Sequence, residues 1–310
     1  MAPPLARRPR HPALSVEEAA ARAAGLACWS RAVAPRPLPG GITNRNFVVD
    51  DAGRRYVVRV GGDIFVHGVM RFNDLAAAKA AHAAGLSPAV VHAEPDAFVF
   101  AFIEGRTLAP ADVREPAMLG RILPMVRACH YEVPKHLRGP VLAFSVFHVI
   151  HDYAATLGEG GSRHAADLAR WVAISDALCR AVGPIDLVFG HNDLLAANFI
   201  DDGARLWLID WDYAGFNSPL FDLGGLAGNS QLSATQEELL LENYFARPAD
   251  DRLRRSYAAM KCATLLREAM WSLVAELYSD IEHDYVGYTD GCLLRFEAAW
   301  LAFERDWGKP

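Results

Sequence analysis

The segment from Gly190 to Asp212 holds the side chains best suited to chemistry. His191, Asp193 and Asn198 fall at the spacing H-x-D-x-x-x-x-N, and Asp210 follows twelve positions on, closing the apolar run Leu206-Trp207-Leu208-Ile209. Phosphoryl transfer needs these types. A carboxylate, Asp193, accepts and orients the proton of an attacking hydroxyl, with His191 beside it as a second catalytic candidate. Asn198 and Asp210 offer the hard oxygen ligands that Mg²⁺ takes against nucleotide phosphates. The competing account is a polar hairpin in which Asn192 and Asp193 are only turn formers. The motif alone is weak, but joined to the Asp201-Asp202-Gly203 turn and the second apolar run it favours the catalytic reading.

These side chains need elements to hold them. Leu187-Val188-Phe189 leads into a loop over 190–197, and Asn198–Ile200 pairs across the Asp201-Asp202-Gly203 turn with Leu206–Ile209 as a predicted hairpin. The hairpin brings Asn198 and Asp210 to one end, next to the loop carrying Asp193. Upstream, Gly40, Gly41, Thr43 and Asn44 lie between two strand patterns. The glycines permit close backbone approach and the polar pair supplies donors, so this loop can lie over phosphates; an ordinary Gly-Gly hairpin is the alternative. Tyr56–Val60 predicts a strand that places Arg59 as a phosphate-binding cation. Phe72–Ala84 predicts a helix ending at Gly85, with Asp74 either pairing Arg59 or simply suiting the helix dipole. Pro88–His92 and Ala97–Ile103 predict two more strands. The second ends on Phe102 and Ile103 before Glu104-Gly105-Arg106, the pattern of a hinge whose backbone could bind adenine.

This divides the 310 residues into a nucleotide-binding lobe at 1–103 and a catalytic and acceptor-binding lobe at 104–310. Ser15 and Glu18 have capping-box spacing and open a helix from Glu17 to Gly25. Beyond the hinge, helical periodicity covers Glu115–Cys129, Ser145–Leu157, Asp167–Val182, Ser233–Phe245, Asp250–Tyr278 and Asp284–Arg305. The expected class is α+β: a small antiparallel sheet with a helix, then a mainly helical lobe. A net charge of −6 argues against a nucleic-acid partner, and no apolar run is long enough for a membrane span. The basic stretch Arg7–Pro12 lacks a following apolar region and does not read as a signal peptide. The five scattered cysteines read as core thiols in a reducing cytoplasm. His130, His136, His148, His151 and His164 lack paired ligand spacing and are expected at surfaces or helix ends.

Asp222 is expected to cap the segment after it and to brace the catalytic loop. Asp212 is either a second metal-side carboxylate or, with Tyr213, part of an acceptor pocket. Glu268 and Trp271 share one helix, and Tyr288 lies near the start of the next. Aromatic rings interleaved with acids suit a cationic ammonium, each ring contact being worth about 0.5–2 kcal/mol.

Gly40-Gly-Ile-Thr-Asn-Arg-Asn46, Val57-Val-Arg-Val60, His191-Asn-Asp-Leu-Leu-Ala-Ala-Asn198, Ile209-Asp-Trp-Asp-Tyr-Ala-Gly-Phe-Asn217 and Trp271-Ser-Leu-Val274 together resemble the choline/ethanolamine kinase family, within the aminoglycoside-phosphotransferase-like small-molecule kinases. The resemblance spans about residues 38–305. It implies a two-lobed protein-kinase-like fold using ATP and Mg²⁺ to phosphorylate a small cationic alcohol, choline first. Ethanolamine, thiamine or an aminoglycoside are the other acceptors, and a non-catalytic pseudokinase is the reading from another class. Arg59 fits the family, and Trp271 and Tyr288 align with its aromatic pocket. Two departures stand out: Glu268 replaces a Trp of animal choline kinases, and Asp74 stands where the family prefers Glu.

Overall fold

The computed structural model describes residues 14–40 and 44–308. Helix α1 (Val16–Ala24) starts at Ser15, whose Oγ accepts from Glu18 N while Glu18 accepts from Ser15 N, the expected capping box. Strands β1 (Arg36–Pro37), β2 (Arg45–Asp51) and β3 (Arg54–Val60) follow. After them come helix α2 (Arg71–Ala83), β4 (Val90–Glu94) and β5 (Ala97–Ala101). The strands form one antiparallel sheet in the order β1-β2-β3-β5-β4. Alternation decides which face is buried: Phe47, Val49, Val58 and Val60 turn inward with Val99 against Ala19 and Ala23 of α1. Helix α2 instead gives its alanines, Ala77 to Ala81, to the core of the helical part.

The chain then crosses through 102–105 into β6 (Arg106–Thr107), α3 (Pro110–Val113), α4 (Pro116–Tyr131), α5 (Val146–Gly160) and α6 (Leu168–Val182). Next come β7 (Val188–Gly190), β8 (Phe199–Asp201), β9 (Leu206–Leu208) and β10 (Gly215–Asn217). Helices α7 (Pro219–Ser230), α8 (Ala234–Phe245), α9 (Asp251–Tyr278) and α10 (Tyr285–Trp307) complete the described chain. The expected class, α+β with a mainly helical second part, is what forms. Helix α9 is its axis, packed by α5, α6, α7 and α10. Among the described residues no helix is long and apolar enough to cross a membrane.

The expected hairpin forms as β8 and β9 around the Asp201–Gly203 turn, with β6 added on its other edge. Its base is tied to the first part of the chain: Leu208 N donates to Leu86 O at 2.9 Å, and Trp211 Nε1 donates to Ser87 Oγ at 2.7 Å. Helix α7 was not expected. Ser218, rather than Asp222, caps it, and Asp222 sits in its first turn. The last strand before the crossing is shorter than expected, so Phe102 and Ile103 lie beyond it, outside any strand. Phe102 still holds on to the sheet, its N–H donating to Arg55 O at 3.2 Å and its ring lying 4.5 Å from the Arg55 guanidinium.

Candidate active site

The loop between β7 and β8 is shaped before any ligand arrives. Asp222, reaching up from α7, accepts the backbone N–H of His191 at 2.8 Å and of Asn192 at 2.7 Å, as expected for a brace. Asn192 adopts a left-handed φ of 63°, which Asn tolerates better than most side chains. Its amide donates to Tyr213 O at 2.9 Å and Gly215 O at 3.1 Å, sewing the loop to β10. Gly190 is required here, because a Cβ would sit 2.7 Å from Asn192 Oδ1 and 3.2 Å from Asp222 Oδ2.

Behind the brace lies a buried polar chain. His130 Nε2 contacts Asp222 Oδ2 at 2.9 Å, and its Nδ1 contacts Tyr244 Oη at 2.6 Å. His130 lies in the last turn of α4, one of the two places expected for it, but at 1% exposed it is buried rather than at the surface. Burial opposes ionisation of Asp222, but the hydrogen bonds from the His130 ring and from the His191 backbone N–H hold its carboxyl below the usual range. Asp222→Ala is therefore expected to destabilise the protein by about 3–5 kcal/mol, since it leaves buried partners unpaired. With the folded pKa lowered, the Asp222 contribution is complete above the unfolded value of roughly 4 and is lost as pH falls through the folded value. Denaturant unfolding of both proteins between neutral and acid pH checks this: the gap should be full at neutral pH and shrink only in acid.

His191 is fully buried, with Nε2 3.0 Å from Ile209 O and its ring 4.7 Å from that of Trp211. Burial lowers its pKa and keeps the ring neutral. That corrects its expected catalytic place: the imidazole lies under the loop, fixing Ile209 beside Asp210, and its Nε2 is already spent on a carbonyl. Asp193 is half-buried on the loop itself. Asn198 Nδ2 donates to Asp193 O at 2.8 Å and approaches Asp193 Oδ2 at 3.3 Å. Burial first, then the charge of Glu268, push the Asp193 carboxyl well above its usual range, with Arg267 opposing. Such a shift improves a carboxylate as a proton acceptor.

The hairpin delivers Asp210 next to Asn198, through Ile209 N donating to Asn198 O at 3.0 Å. Asp210 has a left-handed φ of 70° and a side chain that is 26% exposed. Its Oδ1 accepts from Arg59 Nη2 at 2.9 Å. Arg59 Nη1 meets Asp212 Oδ1 at 2.8 Å and Asp74 Oδ2 at only 3.4 Å. The expected Arg59–Asp74 pair is thus the loosest of the three contacts. The tighter partner of Asp74 is Arg71, at 3.0 Å. Arg71 also reaches Asp212 Oδ1 at 2.8 Å and Asn44 Oδ1 at 2.7 Å, while Asn44 Nδ2 donates to Asp212 Oδ2 at 3.1 Å. Burial resists charge on Asp212, yet Arg71 and Arg59 hold it ionised, well below the usual range. Burial and the neighbouring Asp212 charge push Asp74 the other way. Arg71 escaped the sequence reading, although a basic and an acidic residue three apart at a helix start could have flagged it.

Asn44 therefore anchors the end of the Gly-rich segment to the acid cluster. Gly40 lies exposed with φ 95°, and Gly41 and Thr43 fall outside the described residues. Among the described residues no three His, Cys, Asp or Glu side chains form a ready-made metal cage. Asn198 and Asp210 are nevertheless the donor set Mg²⁺ takes when phosphates and water complete its shell.

Tyr213, Glu268, Trp271 and Tyr288 come together as one cluster. Trp271 Nε1 donates to Tyr213 Oη at 2.7 Å, Tyr288 Oη donates to Glu268 Oε1 at 2.7 Å, and the Trp271 and Tyr288 rings lie edge to face at 6.4 Å. The Asp212 carboxylate is turned toward the two arginines and Asn44. Arg267, a further residue the sequence reading passed over, stacks 4.4 Å from the Tyr213 ring centre.

The family model for choline/ethanolamine kinase matches residues 36–226. The chain belongs to that family. It is 25% identical over 277 residues to ethanolamine kinase 2 of Mus musculus, covering 80% of this chain and 71% of that protein. Protein LicA of Haemophilus influenzae is 24% identical over 275 residues, covering 86% of this chain and 78% of LicA. Among solved structures, a choline/ethanolamine kinase family protein from Mesorhizobium loti superposes with a TM-score of 0.70 at 28% identity, over 93% of this chain and 94% of that one. The chain is accordingly a small-molecule kinase with a protein-kinase-like fold.

Proposed function

We propose that this kinase transfers the γ-phosphoryl group of MgATP to the hydroxyl of a small amino alcohol, with ethanolamine ahead of choline. The observation that carries the reading is the convergence of Asp193, Asn198, Asp210 and Arg59 at the open end of one hairpin. The alcohol oxygen bonds to the γ-phosphorus while its proton passes to Asp193. The bond from that phosphorus to the bridging oxygen breaks, and its electron pair leaves with ADP. Mg²⁺, held by Asn198 and Asp210, would offset the negative charge of the phosphates. Arg59 would turn from the acids to the phosphates, and Gly40, Gly41, Thr43 and Asn44 would cover them. In this reading residues 1–103 hold the nucleotide, with Phe102 and Ile103 bordering the adenine, and residues 104–310 hold the acceptor.

The ranking of ethanolamine follows from Glu268. A primary ammonium donates hydrogen bonds to a buried carboxylate, whereas a trimethylammonium has no donor and relies on ring faces. Alcohol-dependent release of ADP, measured across ethanolamine, choline, thiamine and an aminoglycoside, tests the proposal. Ethanolamine should give the highest kcat/KM, with choline second. Turnover confined to thiamine or the aminoglycoside would move the enzyme to another acceptor class.

A further inference from the structure

Helix α9 carries one adjacent pair of opposite charges, Arg267 and Glu268, within the otherwise uncharged stretch Ala263–Ala275. Both are buried. Arg267 Nη1 donates to Glu268 Oε2 at 3.1 Å, while Nε and Nη2 of the same guanidinium have no hydrogen-bond partner. The guanidinium lies against the rings of Tyr213, at 4.4 Å, and Phe144, at 5.4 Å. The Tyr213 ring of the acceptor cluster therefore already carries a cation belonging to the protein. A buried charged group with two idle donors bears their full desolvation cost, which a ligand able to accept both bonds would remove.

Nε and Nη2 form one edge of the guanidinium, a planar fork matched to a carboxylate. Elsewhere in this protein the same edge grips acids two-handed: Arg22 holds Asp96 through Nε at 2.9 Å and Nη2 at 2.7 Å, and Arg254 holds Glu238 at 3.1 and 2.6 Å. In Arg267 that edge grips no carboxylate, the Tyr153 hydroxyl lies close to the guanidinium, and the group lies in the cluster that includes Glu268, Tyr213 and Trp271. We infer that the preferred acceptor is an amino alcohol that also bears a carboxylate, a hydroxy amino acid. Its carboxylate meets Nε and Nη2 of Arg267, and its ammonium meets Glu268 beside Trp271 and Tyr288. The Glu268 carboxylate has lone pairs to spare beyond Arg267 and Tyr288 for that third contact. Phe144 and Tyr213 touch the guanidinium and also line a cavity of about 310 Å³ that reaches Asp212. Arg267 does not itself line the cavity, so a carboxylate there meets the idle edge only after a ring between them turns aside. The inference rests on the amino-alcohol kinase reading and sharpens it: ethanolamine is the same substrate without its second handle.

Serine differs from ethanolamine by one carboxylate, so the pair isolates the Arg267 contribution. The kcat/KM of the wild-type enzyme for L- or D-serine should exceed that for ethanolamine at least tenfold. Arg267→Met should collapse that ratio to one or below, and Arg267→Lys, which keeps the charge but not the fork, should restore only part of it. Serine no better than ethanolamine, or a ratio unmoved in Arg267→Met, overturns the inference while leaving the kinase reading in place. If no amino alcohol promotes ADP release, both fall. Should Arg267→Met fail to fold, calorimetry of serine binding to the wild-type enzyme with a non-hydrolysable ATP analogue decides instead, and binding weaker than that of ethanolamine overturns it.

Discussion

Asp193→Asn should lower kcat by roughly 10²–10⁴, the usual worth of a positioned general base. The amide preserves shape and can keep the contact with Asn198, so the loop should stand as it is: its geometry comes from Asp222 and Asn192, not from the Asp193 side chain. What the amide lacks is the charge and the proton affinity that burial and Glu268 confer on the carboxylate. Nucleotide affinity should barely change, because in this account Asp193 serves the acceptor hydroxyl. Steady-state turnover together with calorimetric titration of MgATP separates the two effects. Turnover near that of the wild type would remove Asp193 from the reaction.

Asp210→Ala should be the other severe variant. Loss of a carboxylate that holds the metal removes several kcal/mol of charge stabilisation in the transition state, hence roughly 10³-fold or more in rate. Unlike Asp193→Asn, it should also weaken MgATP binding. The fold should survive, since the Asp210 side chain is partly exposed and Arg59 keeps Asp212 and Asp74 as partners. Calorimetry with MgATP, supported by a thermal melt, checks this. An unchanged affinity in a folded variant would mean that the metal is held elsewhere.

The parts of this site visible in the sequence are those packed into one continuous stretch. The hairpin at 198–209 could be read because a turn signal separates two apolar runs, and that alone puts Asn198 and Asp210 at one end. Arg71 and Arg267 stand out less for the opposite reason: beyond its i,i+3 neighbour Asp74, Arg71 acts across the chain on Asn44 and Asp212, and Arg267 acts on the Tyr213 ring. His130 does end a helix, but nothing local announces its buried partners, Asp222 and Tyr244, which arrive from α7 and α8. His191 looked catalytic because its type and motif suit that work, yet tertiary packing spends its ring on Ile209 O. Helix α7 escaped because it is buried nearly all round and so has no polar stripe. Its glycines look like breakers in the sequence, but they admit α9: a Cβ on Gly224 would sit 3.0 Å from Lys261 Cα. Strands β6 and β10, at two and three residues, are too short to leave a periodic pattern.

Phosphorus NMR of the wild-type enzyme incubated with MgATP and a small amino alcohol tests the central claim most directly, because it reports where the γ-phosphorus goes. The account predicts a new phosphomonoester resonance that grows in step with ADP, requires the alcohol, and disappears in Asp193→Asn on the same timescale. ATP left intact with every amino alcohol, or consumed only to inorganic phosphate whether or not an alcohol is present, would contradict it.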